Sequence, residues 1–437
     1  MNAMKFNRSR ELNLFNATWD RIIHSSARPG ELQSVKLCGP RGSGKTFFVQ
    51  ELARTQRGIT YMSFAGMSAE DALRKFVKLY LPEDASVTNW TEAAKAFTVL
   101  RHHRRTLLVF EDEAEEWQQE CKKAFLPYTR QKGLFRICEI GQSVSRKEAF
   151  CVPIPFFTIA DFCENLSGSR ADIMRLHALT GGIPAVAKEL DAEKSFEENV
   201  RQLLGYDSAF STYLPERMRL FFRTPESYYP LLRSMAFGHH RLSEIAKDAG
   251  FANNKCGKYL DALIDSGFVT ARHDGGTYAK YDLANTYYAA WCRYAYLRKT
   301  EQIMRPEEHL QFVLADLDNA IALRSFHEAC LRFLGDGEKV NLKRQRAISV
   351  EMPDGSRVIM YCHEDPLSRT EVTVFPQSLS IRFTKKELQK ILSVVKKVDP
   401  FVDAEVTIFS LERFSDWCVH ESARRGYLHE VTMDRLR

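Results

Sequence analysis

Gly39-Pro40-Arg41-Gly42-Ser43-Gly44-Lys45-Thr46 holds glycines, a lysine and a threonine at the spacing G-x-x-x-x-G-K-T. A short apolar run from Val35 precedes it, and an amphipathic stretch through Leu52 follows, so the pattern lies between an expected strand and an expected helix. Glycines let backbone N–H groups close around a polyphosphate, and the helix aims its positive dipole end at the same anion. Lys45 is suited to reach the β- and γ-phosphates, and the Thr46 hydroxyl to ligate Mg²⁺. A glycine turn can also join strand to helix with no ligand, but such a turn has no need of Lys-Thr at its end.

Thr106 to Glu113, TLLVFEDE, is the second chemical signal. A buried strand delivers carboxylates at its C-terminal end, where open α/β sheets place ligands. Asp112 is suited to hold Mg²⁺ through water, and Glu113 to polarise the water that attacks a γ-phosphate. Glu111 stands beside them, and an acidic strand end leading into the AEEWQQE helix is the plainer alternative.

The elements that must position these residues follow from periodicity. Residues 5–24 carry Leu12, Leu14, Phe15, Trp19, Ile22 and Ile23 near helical spacing. Gly58 to Phe64 predicts a second strand, MSAEDALRKFVKLYL a helix capped near Ser68, and Trp90 to Leu100 another helix. The basic run Arg101-His102-His103-Arg104-Arg105 is a solvated turn by default and otherwise a phosphate contact. Gly133 to Gly141 predicts a strand ending at Gln142 and Ser143, of which one could sense a γ-phosphate. Strands alternating with helices give an α/β class with a parallel, doubly wound sheet.

Residues 225–283 predict a different module: helices over Pro225–Phe237, Leu242–Ala249 and Asn253–Ser266, a strand from Gly267, the Asp274-Gly275-Gly276 turn, and a strand over Tyr278–Leu283. Three helices and a two-stranded wing make a winged helix-turn-helix. In a reader of double-stranded DNA, Lys255 and Lys258 on the third helix would face phosphates, and Arg272 or Lys280 would come from the wing. The same module can serve purely as packing. The aromatic stretch 281–296 predicts one buried helix around Trp291, and the last residues, ESARRGYLHEVTMDRLR, predict a helix.

K-F-N-R-S-R-E-L at 5–12, G-P-R-G-S-G-K-T at 39–46, L-L-V-F-E-D-E at 107–113 and T-G-G-I-P at 180–184 together resemble the archaeal-type ATPases. These form part of the STAND branch of P-loop NTPases and are related to the origin-recognition AAA+ proteins. The resemblance implies ATP rather than GTP, with Asn7 and Arg8 approaching the adenine and Pro184 packing on the nucleotide from a helical lid. It leaves Arg130, Arg136 and Arg170 as alternatives for an arginine supplied in trans. Residues 281–296 are similar to the family's Y-x-L-x-D-x-F-x-x-F-W-x-R-F signature, with Asn285 in place of Asp. The C-terminal domain of relatives is restriction-endonuclease-like. Here Phe326-His327-Glu328 fits its helix and Glu371 opens a strand, but the E-x-K lysine is missing, which implies a degenerate nuclease. The expected division is 1–165 P-loop core, 166–222 helical lid, 223–297 winged helix, and 298–437 an α/β C-terminal domain.

Composition bounds the rest. The 437 residues, 44% hydrophobic and 27% charged with net charge +6, describe a globular protein that tolerates nucleic acid without demanding it. No apolar run long enough to span a bilayer and no apolar leader occurs, which predicts a cytoplasmic protein with no membrane partner. Ten scattered cysteines with no C-x-x-C predict free buried thiols rather than a disulfide framework or zinc site. The expected function is an ATP-binding, slowly hydrolysing switch acting on or near DNA, with nucleotide-dependent homo-oligomers and an unknown protein partner. The alternatives are an ATP-gated DNA nuclease and a nucleotide-stabilised interaction scaffold.

Overall fold

The computed structural model describes residues 8–24, 34–55, 59–62, 67–83, 85–100, 106–111, 116–129, 135–141, 151–272, 279–334, 346–363, 371–398 and 404–436. The fold is mixed α/β and mostly helical, with small sheets, and the chain divides into two compact units, Asn7–Phe156 and Phe157–Arg437.

The first unit runs α1 (Ser9–His24), β1 (Ser34–Cys38), α2 (Lys45–Thr55), β2 (Ile59–Met62), α3 (Ala69–Tyr80), α4 (Trp90–Leu100), β3 (Thr106–Glu111), α5 (Glu116–Thr129), β4 (Phe135–Gly141) and β5 (Cys151–Pro153). Its five strands form one all-parallel sheet in the order β2-β3-β4-β1-β5. The unbroken apolar run of β3, Leu107 to Phe110, is the pattern of parallel strands rather than of half-exposed antiparallel ones. Ser68 caps α3 by accepting from the Asp71 N–H. Phe76 of that helix then meets Trp90 and Phe97 of α4 and Phe125 of α5, with ring centroids 5.5 to 5.8 Å apart.

β1 and β5 lie side by side, and a disulfide joins Cys38 to Cys151 with their Cα atoms 6.7 Å apart. This corrects the expectation of free thiols throughout. The two cysteines are 113 residues apart in the chain, and only the β1–β5 pairing makes them neighbours. Cys121, Cys256, Cys292, Cys330, Cys362 and Cys418 are buried, as expected, and take no part in a disulfide.

The second unit begins with α6 (Ile159–Asn165), α7 (Arg170–Thr180), α8 (Pro184–Ala187), α9 (Phe196–Leu203) and α10 (Ala209–Arg219). Next come α11 (Tyr229–Ala236), α12 (Leu242–Ala249), α13 (Asn253–Asp265) and the antiparallel pair β6 (Val269–Arg272) and β7 (Lys280–Leu283), which is the winged-helix layout. The first helix is shorter than expected: Pro225–Ser227 is a separate 3₁₀ turn, and Pro230, which has no N–H to give, sits in the first turn of α11. The stretch 281–296 is not one helix either. β7 ends at Leu283, Asn285 caps, and α14 (Thr286–Tyr294) buries Tyr287, Tyr288, Trp291 and Tyr294.

The chain continues through α15 (Lys299–Met304), α16 (Pro306–Leu317) and, after a π-helical turn at Asp318–Ala322, α17 (Leu323–Phe333). β8 (Arg346–Glu351), β9 (Arg357–His363), β10 (Glu371–Pro376), α18 (Lys385–Val398), β11 (Glu405–Ser410), α19 (Asp416–Arg425) and β12 (Leu428–Thr432) complete it. The sheet order is β12-β11-β10-β9-β8, with β8, β9 and β10 antiparallel and β10, β11 and β12 parallel. The chain end expected as helix is therefore half strand. Gly426, at φ +67°, takes the left-handed conformation that closes α19, and the residues beyond it pair with β11.

Candidate functional site

The loop Gly39 to Thr46 leaves the C-terminal end of β1 and enters α2 directly. Gly42 and Gly44 hold φ +84° and +87°, the region that glycine enters without strain. Gly39 is fixed for a different reason: a Cβ there would collide with the Ile154 carbonyl oxygen. That contact is supported by the hydrogen bond from Ile154 N to Cys38 O, 2.7 Å, which zips the segment after β5 to the base of the loop.

Lys45 is only 9% exposed, and its Nζ donates to the carbonyls of Gly39 at 2.7 Å and Pro40 at 2.8 Å. The ammonium thus folds over the loop that would receive an anion. Ser43 is fully buried, and its Oγ has no hydrogen-bond partner. An unpartnered buried hydroxyl costs about 1–3 kcal/mol, and a polyphosphate oxygen would remove that cost. These features fit a polyphosphate. Thr46 is partly buried beside Lys45 at the start of α2, while Pro40 and Arg41 are exposed.

Arg8 comes to the same loop from the foot of α1. Its guanidinium donates to Ser43 O at 2.8 Å, to Pro155 O at 2.9 Å and to Glu11 Oε1 at 3.3 Å. One side chain therefore ties the N-terminal helix, the loop 39–46 and the segment after β5 together. Asn7, Asp112, Glu113, Arg130, Gln142, Ser143 and the basic run 101–105 lie outside the described residues. Arg136 is on β4, and Arg170 opens α7 beside Cys163 and Asp434.

Pro184 starts α8 in the second unit, directly after the turn Gly181-Gly182-Ile183. Gly181 and Gly182 hold φ +58° and +67°, and Gly182 packs against a backbone while Gly181 packs against a side chain. A Cβ on Gly182 would strike Phe157 O, and one on Gly181 would strike the Asn285 side chain. Asn285 Nδ2 donates to Gly181 O at 2.9 Å while its Oδ1 accepts from Tyr287 N, capping α14. The aspartate usual in the resembled family would keep the cap but could not donate to Gly181.

The winged helix holds its expected cations unevenly. Lys255 and Lys258 are exposed on α13, with Lys255 Nζ 4.9 Å from the Phe251 ring and 5.6 Å from that of Tyr259. Lys280 begins β7, and Arg272 ends β6, where its guanidinium donates to Asp282. Asp282 was not anticipated. It also meets His240 Nδ1 and Arg324 Nη2, each at 3.0 Å, and Arg324 Nε goes on to Glu328 at 2.9 Å. Burial alone would raise the Asp282 pKa, but hydrogen bonds from His240 and Arg272 and the charges of Arg272 and Arg324 hold it well below the carboxylate range. A buried acid on a strand requires a partner, but the sequence does not say that His240, Arg272 and Arg324 supply it.

In the C-terminal domain Glu328 is on α17, committed to Arg324, and Glu371 is exposed at the start of β10. The sheet face toward α17 carries aromatic rings. Phe375 stacks on Phe409 with centroids 5.3 Å apart, and the His327 and Tyr361 rings meet Phe375 edge-on at 5.6 Å. Among the described residues, no three His, Cys, Asp or Glu side chains are grouped to hold a metal ion. No described helix is long and apolar enough to cross a membrane.

No family model matches the sequence, and no curated protein matches it. Solved structures give weak likenesses. A homodimeric winged helix-turn-helix DNA-binding domain from Mycobacterium bovis, described as a possible ArsR-family transcriptional regulator, is 22% identical, covers 22% of this chain and 88% of its own, and has a TM-score of 0.18. A chain from the Drosophila origin recognition complex, bound to AT-rich DNA and Cdc6, is 10% identical over 67% of this chain and 92% of its own, at 0.25. A protein from Vibrio cholerae is 9% identical over 92% and 95%, at 0.17.

Proposed function

We propose that the chain is an ATP-binding switch that hydrolyses ATP slowly and acts on or near duplex DNA. The observation that carries this reading is the loop itself: Lys45 folded over the Gly39 and Pro40 carbonyls above a buried, unpartnered Ser43 hydroxyl. Strand order supports a doubly wound core. The crossover from β1 to β2 runs against the sense of those from β2 to β3 and β3 to β4, and right-handed crossovers in opposite senses put helices on opposite faces.

Water attacks the γ-phosphate in line, Lys45 offsets the charge on the phosphoryl oxygens, and Glu113 orients the water. Thr46 and Asp112 would hold Mg²⁺, which supplies further charge neutralisation when bound. Arg8, with Asn7 beside it, would border the adenine, and Pro184 would reach the nucleotide from a lid spanning 166–222. Loss of the γ-phosphate would then release the lid. DNA would meet the winged helix through Lys255, Lys258 and Lys280. A second reading, a nucleotide-stabilised scaffold for a protein partner, draws support from Arg272, whose charge is already engaged by Asp282.

The test is ATP turnover by wild type, Lys45→Ala and Glu113→Gln, with and without duplex DNA, while oligomer mass is followed. The switch requires wild-type turnover, its loss in both variants, and a DNA-dependent change in rate or mass. Binding of nucleotide with no turnover in wild type would leave only the scaffold.

A further inference from the structure

Helix α18 presents a charged face that no role described so far uses. Lys385, Lys386, Lys390, Lys396 and Lys397 are all exposed, and the exposed arc contains no acid. Glu387, the acidic residue of its first turn, is 6% exposed and turned inward, where it accepts from Thr384 N at 3.0 Å. The opposite arc, Leu388, Ile391, Leu392 and Val395, is sunk into the core of the C-terminal sheet. Lys386, Lys390 and Lys397 follow i, i+4, i+11 and so share a stripe about 16 Å long, at 1.5 Å rise and 100° per residue.

We propose that this lysine stripe is a docking surface for the phosphate backbone of duplex nucleic acid. Five cations with no acid among them complement a polyanion, and ammonium groups bind phosphates as point charges without reading sequence. The winged helix is the weaker electrostatic candidate: exposed Lys255 and Lys258 on α13 are matched by exposed Asp261 and Asp265. An anionic membrane suits α18 less well, because its apolar arc is buried in the sheet and none of it can enter a bilayer. The proposal shares with the proposed function only the nucleic-acid partner and needs no ATP.

The test uses the full chain without nucleotide, with a fluorescent duplex followed by anisotropy between about 50 and 200 mM salt. Lys386→Gln/Lys390→Gln/Lys397→Gln is expected to weaken binding at least about tenfold and to lower the slope of log K against log salt by about 2.7, near 0.9 for each phosphate contact. Lys390→Gln alone should give about a third of that slope change, and the triple Lys→Arg variant should bind like wild type. Any slope change from Lys255→Gln/Lys258→Gln belongs to the winged helix and should add to that of the triple variant. Wild-type binding retained by the triple Gln variant overturns the proposal. So does wild-type protein that ignores the duplex, with or without capture by phosphatidylserine vesicles. ATP turnover measured on the same preparations reports separately on the phosphate loop.

Discussion

Asn285 donates from its side-chain amide to the Gly181 carbonyl, 2.9 Å away, and the two residues approach so closely that no side chain fits on Gly181. The turn before Pro184 and the cap of the winged helix's exit helix are thereby joined. Around it, Tyr287 Oη donates to Phe210 O at 2.8 Å, Trp291 Nε1 to Ser211 O at 3.0 Å, and Arg293 grips Asp316 with two bonds of 2.8 and 2.9 Å.

Asn285→Asp keeps the cap on α14 and removes the donor to Gly181. It is expected to destabilise the fold by about 1 kcal/mol, and Asn285→Ala, which also removes the cap, by about 2 kcal/mol. Gly181→Ala should cost more than either, since it is strained as well as crowded. Urea unfolding, with hydrogen exchange over 286–294, measures the order, and equal effects of all three would refute the joint.

Gly39→Ala places a methyl group against Ile154 O and should push the loop away from β5. The expected cost is about 2 kcal/mol or more, with weaker nucleotide binding. Gly257→Ala, which has room for a methyl group and lies outside the loop, is the control for isothermal titration with ATP.

Two histidines should pull stability in opposite directions with pH. The hydrogen bond and charge of Asp282, opposed by burial and by Arg324, raise the His240 pKa. Its contribution is therefore complete below about pH 6.5, the unfolded value, and lost as pH rises through the higher folded value. Burial, with the charge of Arg332, pushes His177 down to about 3. Its contribution is present above about pH 6.5 and lost as pH falls toward that folded value. Unfolding midpoints from pH 4 to 8.5 should flatten on the alkaline side in His240→Asn, whose Asp282 partner is shared with Arg272 and Arg324 and whose backbone N–H donates to Glu244. The acid side should flatten in His177→Gln.

Phe375→Ala opens a hole between Phe409, His327 and Tyr361 and should cost about 3–5 kcal/mol. Glu371→Gln and Glu328→Gln are expected to leave the protein's behaviour toward duplex DNA with Mg²⁺ unchanged. A cleavage activity abolished by either change, scored on plasmid nicking, would restore the nuclease reading.

The strand–loop–helix over 34–55 could be read from sequence because its glycine turn is contiguous, whereas the contact of Gly39 with Ile154 could not. The winged helix was readable for a similar reason, since its helices and wing are adjacent in the chain. What escaped depends on distant partners. Asn285 looked like a variant aspartate until Gly181, 104 residues earlier, supplied the carbonyl it serves. Asp282 looked like an ordinary strand residue until Arg324 arrived from α17. The stretch Leu428–Thr432 has little intrinsic strand signal, and pairing with β11 overrides its local preference.

The strand order of the first unit also constrains assembly in time. β1, which leads into the loop 39–46, pairs with β4 and β5, whereas β2 pairs with β3 and β3 with β4. During synthesis from the N-terminus, β1 emerges first and finds its partners only when residues 135–153 have followed it. The loop 39–46 is thus clamped late, and a nascent chain gains it only once the whole sheet exists.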